Sequence, residues 1–124
     1  MSRNPSILMV GLPIDSAVVP EHIKAELNEV GEEMRRQGVK YQFVGAGPQE
    51  CVDKLRRALS DSKVDGVVIG NGYRSVSKFT VEFEQLVNIV RECAPSAKLL
   101  FNTTPADTID AVRRWFPVEG ATKK

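Results

Sequence analysis

The feature that most constrains this chain is an alternation of two hydrophobic periods, repeated from near its start to near its end. Ser6-Ile-Leu-Met-Val-Gly-Leu12 is a short continuous apolar run followed by a proline, as expected of a strand covered on both faces. Over residues 21–37 the period becomes helical. Ile23, Leu27, Val30 and Met34 recur at helical spacing and form one stripe. Gly38 then stands where a left-handed residue closes many helices.

The unit repeats. Residues 41–44 read as a second strand, and Gly45-Ala-Gly-Pro48 leads into a helix carrying Val52, Leu55 and Leu59. Residues 65–70 form the third strand, and a polar loop follows. Phe79, Phe83, Leu86, Val90 and Cys93 mark a third long helix, stopped by Pro95. Residues 98–102 are the fourth strand. The last helix runs from Pro105 to about Phe116, with Ile109, Val112 and Phe116 inward. Thr104, Pro105 and Asp107 have the chemistry of its start: an N-cap, a proline at N1 and an acid at N3.

Strands alternating with helices imply parallel strands joined by right-handed crossovers, with helices on both faces. The expected fold is therefore α/β, a βαβαβαβα three-layer sandwich around a four-stranded parallel sheet. By analogy with flavodoxin-like domains the strand order is expected to be 2-1-3-4. At 124 residues the chain is read as one domain, with a core over about 6–116 and loose ends at 1–5 and 117–124. Val81, Val87 and Ile89 lie off the inner stripe of the third long helix, and Trp115 stands beside Phe116. A second apolar face of this kind predicts a homodimer through the outer faces of the third and fourth predicted helices.

Charge and composition narrow the classes of partner. Seventeen basic and sixteen acidic side chains leave a formal charge of +1, which predicts neither nucleic-acid nor membrane-surface binding. No apolar run approaches the length of a membrane span, and the first residues lack the pattern of a signal peptide, so a cytoplasmic protein is expected. Cys51 and Cys93 belong to no metal spacing and fall on helical stripes, where buried small hydrophobes are expected. Neither a metal nor a cofactor is predicted. The chain has no GxGxxG, no P-loop and no GxSxG elbow.

In open parallel sheets ligands bind beyond the C-terminal strand ends. The polar residues expected there are Asp15, Asn71, Tyr73, Arg74, Asn102 and Thr103, with His22 close by on the first helix. Gly70 and Gly72 suit backbone approach to a ligand, and the planar fork of Arg74 suits a carboxylate or phosphate. The expected ligand is thus a small anionic molecule held by Gly70, Asn71, Gly72, Tyr73, Arg74, Asn102 and Thr103. Asp15 and His22 are the candidate acid–base pair, since a carboxylate can orient an imidazole that titrates near neutrality. The alternative is a non-catalytic dimerisation or interaction module, and whether the chain is an enzyme stays open at this point.

Three segments carry a resemblance: Ile7-Leu-Met-Val-Gly-Leu-Pro13, Val67-Val-Ile-Gly-Asn-Gly-Tyr-Arg74 and the stretch from Phe101-Asn-Thr-Thr-Pro-Ala-Asp107 to Trp115. On these the chain resembles a family of small flavodoxin-like or Rossmann-like α/β proteins with no established activity. The resemblance implies the fold and transfers no catalytic residue.

Overall fold

The computed structural model describes residues 4–13 and 19–116. Strands β1 (Ser6–Gly11), β2 (Lys40–Gly45), β3 (Gly66–Ile69) and β4 (Lys98–Phe101) form one sheet in the order β2-β1-β3-β4. All three pairings are parallel. The expected 2-1-3-4 order therefore holds. Chain direction reverses its lateral progress between β1 and β3, which lie side by side with Met9 opposite Val68.

Helices α1 (Glu21–Arg36), α2 (Cys51–Asp61), α4 (Thr80–Cys93) and α5 (Thr108–Trp115) cover the sheet, and α3 (Asn71–Arg74) is a single turn after β3. Strand geometry sends alternate side chains to opposite faces. Leu8, Val10, Val67 and Ile69 pack with Leu55, Leu59, Leu86 and Val90 of α2 and α4. Ile7, Met9 and Val68 pack with Leu27, Val30, Met34 and Val112 of α1 and α5. The continuous apolar runs of β1 and β3 are explained by this two-sided burial.

Gly38 closes α1 with φ +79°. Its N–H donates to Arg35 O at 3.1 Å, and Val39 N–H donates to Met34 O at 2.9 Å, the paired bonds of a Schellman closure. A side chain at this φ would be strained.

Two expectations change. The polar segment after β3 is not an open loop: Asn71–Arg74 winds into α3, and Ser77–Phe79 forms a 3-10 turn. Tyr73 drives this by inserting into the core against Phe79, ring centroids 5.3 Å apart. The second change concerns the proposed outer apolar face. Ile89 is buried and Val87 packs on the core, which leaves Val81 exposed on α4. Trp115 is exposed with the Lys98 ammonium over its ring, while Phe116 packs inward. At the N-terminal side, Pro5 is already buried and its carbonyl accepts Lys40 N–H at 3.0 Å. Residues 117–124 lie outside the described residues. Among the described residues no helix is long and apolar enough to cross a membrane.

Candidate functional site

Beyond the C-terminal ends of β1, β3 and β4 lies a cavity of about 410 Å³. Its position follows from the strand order. Because β1 and β3 are neighbours whose connections leave in opposite lateral directions, the chain segments after them diverge and leave a crevice. Met9 and Gly11 of β1 and Leu12 just after it line one side, and Gly70, Asn71 and Gly72 line it from the end of β3 and α3. Asn102, Thr103, Thr104 and Pro105 close the side after β4. Phe43 of β2, with Val19, Pro20, Ile23 and Leu27 around the start of α1, supplies an apolar wall.

Asn102 is the organising residue. It is buried, 2% exposed, at the end of a strand whose backbone ladder has run out. Its Oδ1 accepts Asn71 N–H at 3.0 Å, and its Nδ2 donates to Thr108 Oγ1 at 2.9 Å. The Thr108 hydroxyl in turn donates to Pro105 O at 2.7 Å. One side chain thereby fastens the start of α3 to the start of α5, and its polar atoms are all used within the protein.

Arg74 is placed differently from expectation. Its Nη2 donates to the Asn102 carbonyl at 2.7 Å, and its guanidinium lies 5.5 Å from the centre of the Phe101 ring. It is not among the residues lining the cavity. A planar cation stacked on an aromatic face and bonded to a strand-end carbonyl braces β4, which gives Arg74 a structural role in place of a position on the cavity wall.

Tyr73 also points away from the cavity. Its side chain is wholly buried and its hydroxyl donates to the Ala46 carbonyl, tying α3 to the end of β2. Burial, with the neighbouring Cys51 thiol, pushes its pKa well above the ordinary tyrosine value. Cys51 is itself buried, donates to Pro48 O at 3.6 Å and has its thiol pKa raised by burial, consistent with an inert core residue.

Thr103 and Thr104 stand at the mouth. The Asp107 carboxylate accepts Thr103 N–H at 3.0 Å, Thr104 N–H at 3.3 Å and the Thr103 hydroxyl. Partial burial pushes the Asp107 pKa up, but these three hydrogen bonds outweigh it and hold the group below its ordinary value. The chain's own carboxylate thus occupies the N–H groups of the two residues that lead into this helix.

His22 is exposed on the first turn of α1 and does not line the cavity, although its neighbours Pro20 and Ile23 do. Asp15 lies outside the described residues. Gly70 and Gly72 both line the cavity. A side chain on Gly70 would meet Val10 O at 3.3 Å and Met9 Cε at 3.4 Å, so glycine there serves the close pairing with β1. Of the expected ligand residues the fold brings together Gly70, Asn71, Gly72, Asn102 and Thr103, and turns Tyr73 and Arg74 elsewhere.

The apolar wall was missed by the sequence reading. Ile23 and Leu27 belong to the helix stripe and Met9 to the strand run, and each was assigned to the core on that ground. The available signal was that the stripe of α1 begins at the very start of the helix, beside the strand ends, where the sheet no longer backs it.

No protein-family model and no curated protein sequence matches this chain.

Proposed function

We propose that this chain binds a small molecule, for recognition or for chemistry, in the cavity at the C-terminal edge of its sheet. One observation carries the reading: a preformed crevice of about 410 Å³ at the β1–β3 switch, apolar on the α1 side and polar after β3 and β4. That size and that mixture of surfaces are typical of small-ligand sites. The anionic ligand expected from Arg74 loses its support, because no basic side chain belongs to the described wall. A ligand with a largely apolar body fits better.

A thermal-shift screen of the full chain against a library sorted by charge and apolarity tests this, with Ile23→Trp as the companion variant. A ligand at about 100 times its Kd adds about 2.7 kcal/mol, which raises Tm by several degrees in a domain of this size. Stabilisation by one apolar class, abolished when the tryptophan fills the cavity, is the expected result. A shift that survives Ile23→Trp would place the ligand elsewhere and end this reading.

Self-association is the second reading. It draws on Val81 and Trp115, 60% and 53% exposed. The two stand on α4 and α5, which cover opposite faces of the sheet, so they do not compose one helical face. The cavity is therefore favoured. Sedimentation of the chain at high micromolar concentration separates the readings, a stable dimer favouring the second.

A further inference from the structure

We infer that the side-chain amide of Asn71 is the recognition element of the cavity, and that it selects a neutral ligand whose apolar body carries an amide-like edge. This rests on the cavity being the ligand site.

Four polar side chains belong to the described wall: Asn71, Asn102, Thr103 and Thr104. Three are committed. Asn102 is bonded on both sides of its amide, Thr103 donates to Asp107, and Thr104 joins Asp107 in a capping box. The Asn71 side-chain amide alone among them has no hydrogen bond to any described residue, although the residue is half-buried. Its backbone, by contrast, is held at both ends. Asn71 N–H donates to Asn102 Oδ1 at 3.0 Å, and its carbonyl accepts Ser75 N–H and the Ser75 hydroxyl, each at 2.9 Å. A fixed backbone therefore carries an uncommitted amide at the edge of an apolar cavity.

An asparagine amide offers an acceptor oxygen beside donor N–H groups. Its full complement is an edge with a donor and an acceptor side by side, as in a carboxamide, a lactam or a nucleobase. Charge points the same way. The described wall has no acidic or basic side chain, so a charged head group would be desolvated without a counter-charge. The Asp107 carboxylate behind Thr103 and Thr104 further disfavours an anion. Met9 and Phe43 on the apolar side suit a flat ring, through thioether–aromatic and ring–ring contact.

The test is a titration of the full chain with benzamide, benzoate and toluene, followed through backbone amide NMR shifts, in wild type, Asn71→Leu and Ile23→Trp. Benzamide is expected to bind more tightly than toluene, and benzoate most weakly. Asn71→Leu should weaken benzamide about tenfold while leaving toluene unchanged or tighter, since only the hydrogen-bonding partner is removed. If the leucine variant does not give a folded spectrum, Asn71→Ala carries the same comparison. Toluene binding with an unchanged benzamide-to-toluene ratio in the variant, or benzoate binding more tightly than benzamide, would overturn the inference and leave the cavity reading standing. Absence of binding by all three probes to wild type would overturn both.

Discussion

Asn102 shows how much one buried polar side chain can organise. A polar residue ending an apolar strand reads equally well as a ligand contact or as a structural clip, and the two partners of its side chain, Asn71 N–H and Thr108 Oγ1, favour the clip. Removing it leaves the part-buried N–H of Asn71 without its acceptor and takes one donor from the buried Thr108 oxygen, whose hydroxyl keeps its bond to Pro105 O. The penalty for a buried group left unpaired exceeds the value of the bond itself. Asn102→Ala is expected to lower stability by about 2–3 kcal/mol, read from the midpoint of urea unfolding at unchanged slope. A loss below half a kcal/mol would show that water replaces the side chain at this position. Tyr73 and Arg74 make the same point from the other side. Both looked like site residues because they follow a strand end, and both are consumed in holding the strand ends together.

Among the elements, the start of α5 has an electrostatic character of its own. Asp107 accepts the N–H groups of Thr103 and Thr104, as a negative charge at a helix start is expected to do. Because its pKa is lowered on folding, its contribution is fully present above the ordinary aspartate value of 3.8 and is lost as pH falls through the lower folded value. Asp107→Asn should cost about 1 kcal/mol at neutral pH. The gap in Tm between wild type and variant should close on acidification towards pH 3, measured by calorimetry across that range. A gap that widens in acid would contradict the assignment. The thread from Thr104 to Asp107 was legible as a capping pattern, because it depends on neighbours in sequence. The helical turn α3 was not, because it exists to carry Tyr73 into a core built by distant segments.

Across the whole molecule, protection should follow position in the sheet. β1 and β3 are central, and their residues Leu8, Val10, Val67, Val68 and Ile69 are fully buried, whereas β2 and β4 form the edges. Native-state hydrogen exchange should therefore find the slowest amides in β1 and β3, with β2 and β4 opening at lower free energy. Slowest exchange in β2 would place the stable unit elsewhere. The alternation of strand and helix, the stops at Gly38 and Pro95 and the parallel architecture were written in the chain itself, because hydrophobic period and backbone-restricting residues act over a few neighbours. The strand order was reached only by analogy with other folds. What the tertiary structure alone decided was the direction of side chains in the segments that cross between elements. Ile23 and Leu27 became cavity wall as well as core because of where the sheet ends beneath α1, whereas Tyr73 and Arg74 became braces and Asn71 kept a side-chain amide unbonded among the described residues, according to which distant backbone group comes within hydrogen-bonding reach.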